Sequence, residues 1–66
     1  MEQISGCHSD VFSRAKLCRL VKAMGSDVYS YSDRVCAFSI IFVDRVAKYR
    51  FELMCIDQGI SWERIL

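Results

Sequence analysis

The sequence has few of the residues from which active sites are usually built. His8 is its only histidine, and it contains no glycine-rich phosphate loop and no carboxylate pair on a defined scaffold. Cys7 stands next to His8, but a catalytic Cys–His pair needs a fixed hydrogen-bonding geometry and an orienting group, which adjacency does not supply. We interpret Glu52 and Asp57 as solvated carboxylates. The sequence therefore predicts a protein that is not an enzyme and uses no cofactor.

The sequence also lacks the closely paired ligands that structural zinc sites use. Its four cysteines are 11, 18 and 19 residues apart, so there is no CxxC motif; they are Cys7, Cys18, Cys36 and Cys55. We favour reduced thiols in the core and no metal. Two alternatives stay open: a Cys36–Cys55 disulfide, and zinc held by Cys7, His8 and two further ligands.

Strong charge and long apolar runs are absent as well. The net charge of +1 is too small to indicate a nucleic-acid or membrane partner by bulk electrostatics. Glu2 and Asp10 interrupt the N-terminus, which argues against a secretory signal and a mitochondrial presequence. The longest apolar run, residues 40–43, is far shorter than the ~20 residues that span a bilayer. We expect a cytoplasmic protein with no membrane contact.

Apolar residues, in contrast, are abundant for so short a chain. Hydrophobic residues make up 53% of the 66 residues, and eight side chains are aromatic. A chain of this length buries only about 60% of the surface that its unfolded form exposes. We therefore expect a single small domain, residues 1–66, with apolar surface left over for a partner.

The clearest helical pattern covers residues 10–24. Leu17, Leu20, Val21 and Met24 follow helical spacing, Ser9 or Asp10 is a candidate N-cap, and Gly25 ends the segment. The opposite flank of this helix is basic. Its cationic side chains are Arg14, Lys16, Arg19 and Lys22.

Residues 35–56 alternate between apolar and polar side chains, which predicts a β-hairpin with strands at 35–43 and 47–56. The apolar positions of the second arm are Ala47, Tyr49, Phe51, Leu53 and Cys55. A two-residue or a four-residue turn keeps the apolar positions of both arms on one face, and we favour the longer turn because Asp44-Arg45 does not suit a tight one.

The remaining segments complete an α+β fold. Residues 1–9 are predicted to be a flexible lead, 27–32 a strand, and 60–66 a short C-terminal helical turn. The predicted architecture is an N-terminal amphipathic helix packed on a three-stranded antiparallel β-meander. One helix covers only one face of such a sheet. The other predicted face carries Val35, Ala37, Ile41, Val43, Val46, Met54 and Ile56.

That second face is covered either by the C-terminal tail, by a partner or by a second copy in a homodimer. We expect a non-enzymatic protein-binding regulator or inhibitor that occupies a surface of a larger macromolecule. A phage- or mobile-element-encoded (viral) inhibitor of a host defence system, anti-CRISPR-like in kind, matches in size. The predicted partner-binding residues are Arg14, Lys16, Arg19, Lys22, Ile41, Val43, Lys48, Arg50 and Met54.

The alternative is a small dimeric nucleic-acid-binding transcriptional regulator that uses the basic helix face. It ranks second because Lys48 and Arg50 are predicted to lie on the side of the sheet away from that helix, so the two basic clusters do not form one phosphate-binding surface. A helix-turn-helix over residues 14–34 is disfavoured, since 28–32 is a poor recognition helix by propensity.

Overall fold

The computed structural model describes residues 1–65 and has an α+β architecture. Two helices cover one face of a four-stranded antiparallel sheet whose strand order is β2-β3-β1-β4. This connectivity is the split β-α-β arrangement found in ferredoxin-like folds. In chain order the elements are β1 (Glu2–His8), α1 (Val11–Met24), a 3₁₀ turn (Gly25–Asp27), β2 (Val28–Asp33), β3 (Ala37–Phe42), α2 (Arg45–Gln58) and β4 (Trp62–Arg64).

The helix predicted for residues 10–24 is present as α1. Asp10 is its N-cap, and the carboxylate of Asp10 accepts a hydrogen bond from the backbone N–H of Ser13 at 2.7 Å. Gly25 follows the last residue with φ of +56°, a conformation that favours glycine. The predicted apolar stripe is buried, with Leu17 fully inaccessible.

The prediction of a strand at 47–56 is wrong, because this segment lies within α2. Asp44 caps the helix by accepting a hydrogen bond from the backbone N–H of Ala47 at 2.8 Å, and Gly59 ends it in the left-handed conformation. The helix buries Ala47, Phe51 and Cys55. Side chains that are four residues apart lie on the same side of a strand, where the direction repeats every two residues, and also on the same side of a helix, which has 3.6 residues per turn. These three residues therefore fit either element. The alternation at positions 49 and 53, which suggested a strand, belongs to the exposed side of α2.

The prediction of a flexible lead at residues 1–9 is also wrong. Residues 2–8 form β1, which pairs with β3 on one side and β4 on the other, so it is an inner strand. Ile4 is fully buried. Its neighbours on the helix-covered face are Gly6 and His8, which carry no strand signal. Gln3, Ser5 and Cys7 lie on the other face.

The third correction concerns residues 60–66, predicted to form a helical turn. Residues 62–64 form the edge strand β4, which pairs with β1. The ring of Trp62 lies over Gly6, where an added Cβ would stand 2.6 Å from Trp62 Cε3. Leu66, the last residue of the predicted turn, lies outside the described residues.

The antiparallel pairing of β2 with β3 agrees with the predicted meander, although the register differs. A two-residue turn at Asp33-Arg34 between the predicted strands would pair Tyr31 with Cys36, whereas in the structure Tyr31 pairs with Ile40. The buried face of β3 is the predicted one, with Phe38, Ile40 and Phe42 at most 3% exposed. A helix-first, three-stranded arrangement is therefore wrong, and the α+β class is confirmed. Within residues 1–65, no helix has both the length and the apolar character needed to cross a membrane.

Candidate functional site

The outward side of α2 carries four large apolar side chains that the fold does not bury. Val46, Tyr49, Leu53 and Ile56 are 59%, 66%, 56% and 80% exposed. They point away from the sheet because the opposite side of the same helix packs into the core. We call these four residues the α2 stripe. Unlike scattered surface hydrophobic residues, they form a continuous row.

The spacing of the α2 stripe is that of a coiled-coil seam. Its members are separated by three, four and three residues, which are the a and d positions of a heptad. At 1.5 Å per residue, the row from Val46 to Ile56 is about 15 Å long. A row of this spacing is suited to packing against another helix.

The exposed side of α1 carries basic residues along its length and two apolar ones, Val11 and Phe12, in its first turn. Lys16, Arg19 and Lys22 are exposed and lie three residues apart, so they form a ridge along the helix. None of the three makes an ion pair within residues 1–65. We call these three residues the α1 basic ridge. Their charges are therefore available to an external anionic group.

Two ion pairs show which flank of the α2 stripe is nearer to α1. Arg50 Nη1 lies 3.3 Å from the carboxylate of Asp27, in the turn that directly follows α1. Glu52, on the other flank, lies 3.8 Å from Arg64 of β4. Because both helices pack on the same face of the sheet, the α2 stripe and the α1 basic ridge form one outward surface, with the ridge on the Arg50 side.

The other predicted partner-binding cations are engaged inside the protein. Arg14 Nε donates a hydrogen bond to Asp33 at 3.1 Å, and Lys48 Nζ lies 3.6 Å from Glu2. Arg50 has Asp27 as its partner. Of the basic residues predicted to bind a partner, the structure leaves only the α1 basic ridge unpaired within the described part of the chain.

The predicted apolar residues are dispersed rather than gathered on one sheet face. Ile41 is half-buried on β3, Val43 lies between β3 and α2, and Met54 is on α2, 40% exposed. The sheet does have a face without helical cover, but its side chains are mostly small and polar. They include Gln3, Ser5, Cys7, Ser30, Ser32, Ala37, Ser39 and Ile41. The apolar sheet patch predicted from the sequence is therefore absent among residues 1–65. Exposed apolar side chains occur at Val11 and Phe12 of α1 as well, but the regular row of them lies on α2.

A cluster of polar side chains lies between α1 and the sheet. His8 Nε2 donates to Asp33 at 2.9 Å, while Cys18 Sγ lies 3.4 Å from the hydroxyl of Tyr31. Burial alone would raise the pKa of Asp33, but the hydrogen bonds from His8 and Arg14 hold it below its ordinary value. Burial and the hydrogen bond with Cys18 raise the pKa of Tyr31. The cluster links α1 to β1 and β2.

The imidazole of His8 is buried within this cluster. His8 is directed at a carboxylate and not at a cysteine, and its side chain is only 5% exposed. Among residues 1–65, Nδ1 of His8 has no hydrogen-bond partner. No group of three His, Cys, Asp or Glu side chains in that range could hold a metal ion. All four cysteines are free thiols, of which only Cys55 is buried.

A cleft of about 480 Å³ opens at the C-terminal end of α2. Ile56 of the α2 stripe lines it together with Trp62, so the cleft continues the apolar surface. Burial raises the pKa of the Cys55 thiol in its wall, although a hydrogen bond from Trp62 partly offsets that effect. Glu52, a further lining residue, is paired with Arg64. The cleft offers an apolar recess rather than an acid–base pair.

No family model, curated protein or solved structure matches the chain. The candidate site therefore depends on geometry alone. Sequence reasoning found the α1 basic ridge but missed the α2 stripe. The missed signal is present in the sequence, since Asp44 and Gly59 bracket a segment of the same length as Asp10 and Gly25.

Proposed function

We propose that this protein is a non-enzymatic protein-binding regulator or inhibitor that occupies a surface of a larger partner through the outward surface of its helices. The observation that supports this most is the exposure of the α2 stripe. A surface helix needs one apolar face to pack on its sheet, and α2 already has one in Ala47, Phe51 and Cys55. The second apolar face contributes nothing to the fold. Large exposed apolar patches rimmed by polar residues are typical of interaction sites.

The same surface favours a protein partner over nucleic acid. Its cations without an ion pair among residues 1–65 are Arg45 and the three of the α1 basic ridge, whereas Arg14, Lys48 and Arg50 neutralise carboxylates of their own chain. Phosphate binding gains little from an exposed apolar row beside so few charges. The uncovered face of the two inner strands, β1 and β3, presents no aromatic side chain on which a base could stack.

The test is differential capture from the lysate of a bacterial host by the immobilised protein and two variants. Leu53→Asp places a charge in the centre of the α2 stripe, and Val35→Asp makes the same change at a position that is 82% exposed in the β2–β3 turn. We expect a partner that is retained by the wild type and by Val35→Asp but not by Leu53→Asp. Equal retention of every bound protein by all three would contradict the proposal.

The more specific form of the proposal is a phage- or mobile-element-encoded inhibitor of a host defence system that acts in the cytoplasm. It is supported by the small size of the chain and by its surplus apolar surface. The measurement is phage plating efficiency on a host with an active defence system. We expect expression of the wild type to restore plating and Leu53→Asp to abolish that effect. Unchanged plating with the wild type would refute the inhibitor form for that system.

A further inference from the structure

We infer that the partner presents an acidic amphipathic helix, which packs its apolar side on the α2 stripe and directs its carboxylates at the α1 basic ridge. This inference rests on the function proposed above and specifies the chemistry of the partner. Three observations support it: the heptad spacing of the stripe, the position of the unpaired cations, and the charges that flank the stripe.

The spacing of the α2 stripe suits a helix as its occupant. Exposed apolar side chains at a and d positions form the holes into which a facing helix inserts its own side chains. The row is about 15 Å long, so a partner helix of about three turns would cover it. At its C-terminal end, the cleft beside Ile56 and Trp62 is wide enough for one large apolar anchor.

The α1 basic ridge supplies the charge preference. The ridge lies on the neighbouring helix, on the Arg50 side of the stripe, and no carboxylate among residues 1–65 is paired with Lys16, Arg19 or Lys22. A bound helix would place one of its polar flanks over this ridge. Acidic side chains there gain favourable interactions, whereas basic ones meet three like charges.

A second copy of the chain is a poor occupant of the stripe. In a parallel pair, the heptad g and e positions would bring Arg45 next to Arg50, and Glu52 next to Asp57. In an antiparallel pair the two-fold axis passes through position 51, the midpoint of the stripe. The nearest flanking charges, Arg50 and Glu52, would then each meet their own counterpart. The ion pairs of Arg50 with Asp27 and of Glu52 with Arg64 weaken this repulsion but provide no attraction between the two copies. Each copy would also bring its own α1 basic ridge, so the two copies would carry like charges there.

The experiment measures the binding of two labelled synthetic peptides by fluorescence anisotropy. Both peptides are helical, of about four turns, with leucine and isoleucine at a and d positions. One carries glutamate at the flanking positions, and the other carries lysine. We expect the glutamate peptide to bind more tightly by about tenfold or more and to weaken, without complete loss, as salt is raised.

Matched variants separate the two parts of the surface. We expect Leu53→Asp to weaken binding of the glutamate peptide about tenfold, and Arg19→Glu to weaken it about threefold or more. The controls are Val35→Asp and Arg34→Glu. Both control positions are exposed in the β2–β3 turn, and Arg34 makes no ion pair in the described residues. Both controls should bind like the wild type.

Other outcomes overturn the inference in distinguishable ways. Equal binding of the two peptides, abolished by Leu53→Asp, rejects the acidic preference but leaves the proposed protein-binding function intact. If neither peptide binds and vesicles containing phosphatidylserine bind in a manner that depends on Leu53, the occupant is a lipid surface and both proposals fail. A salt-independent dimer that Leu53→Asp dissociates, measured by light scattering, assigns the stripe to a second copy.

Discussion

Gly6→Ala is the substitution whose effect best separates this structure from the pattern of the sequence. In a flexible lead the change would be neutral, and in an ordinary strand alanine is better than glycine by roughly 0.5–1 kcal/mol. In the structure a Cβ at this position would stand 2.6 Å from Trp62 Cε3, and 2.9 Å from both the Glu63 backbone oxygen and Phe38 Cζ. These groups belong to the strands on either side of β1, so the Trp62 ring, the Glu63 backbone and the Phe38 ring must all shift.

The magnitude follows from two opposing terms. Overfilling a packed site costs about 1–3 kcal/mol, and the smaller conformational freedom of alanine in the unfolded chain returns about 0.4–1 kcal/mol. We expect a net loss of about 1–2 kcal/mol. For a 66-residue domain, a total stability of about 3–10 kcal/mol is typical, so the loss is a large share. At about 4–8 °C per kcal/mol, the melting temperature should fall by roughly 5–15 °C.

The measurement is urea and thermal unfolding followed by far-ultraviolet circular dichroism, which reports on the helices rather than on the Trp62 ring. Ser5→Ala is the control, because Ser5 lies next to Gly6 on the uncovered face of the sheet, and its stability should stay within about 0.5 kcal/mol of the wild type. If Gly6→Ala were as stable as the wild type or more so, β1 would not lie between β3 and β4 with Trp62 over Gly6.

Four further predictions follow from the same structure. Phe51→Asp should unfold the domain, whereas Leu53→Asp should change its stability by less than about 0.5 kcal/mol, because Phe51 is fully buried and Leu53 is 56% exposed. If residues 47–56 formed a strand instead, Phe51 and Leu53 would both point into the core, and both substitutions would unfold the domain. Urea unfolding of the two variants distinguishes the helix from the strand. Asp44→Ala removes the N-cap of α2 and should cost about 1 kcal/mol in the same assay; no loss would exclude the cap. Because the pKa of Asp33 is lowered in the folded state, its contribution to stability is present above its unfolded pKa and is lost as pH falls through the folded pKa. Asp33→Asn should therefore be less stable than the wild type near neutral pH, with a difference that shrinks in acid; a constant difference would contradict this. Burial and a raised pKa predict that Cys55 is the slowest of the four thiols to react with an alkylating reagent, as measured by mass spectrometry, and early labelling would show that its site opens.

The candidate site could be predicted only in part from the sequence. Helical periodicity placed Lys16, Arg19 and Lys22 correctly on the outer side of α1, because both helix boundaries were marked by capping residues. The surplus of apolar surface was also anticipated from composition. Its predicted location was wrong, because residues 47–56 were interpreted as a strand. With that error, Val46, Met54 and Ile56 were assigned to a sheet face, whereas they lie on α2.

Local signals alone determined the α+β class, α1 with its two caps, the antiparallel pairing of β2 with β3, and the buried face of β3. In each case the apolar side chains recur within a few residues, at a spacing that fits only one kind of element. Tertiary structure decided the rest. Residues 47, 51 and 55 satisfy both periods, so α2 is selected by what its buried side packs against, and Asp44 and Gly59 mark its ends.

Residues 2–8 are a strand because β3 and β4 pair with them across long stretches of chain, and their own composition does not indicate it. Ile4 pairs with Ile40, and Gly6 leaves the space that the Trp62 ring fills. Partners so distant in sequence leave no periodic trace around residue 4. The sequence therefore determines the elements whose stability is encoded locally, and the packing of distant segments determines which apolar side chains remain outside the core for a partner.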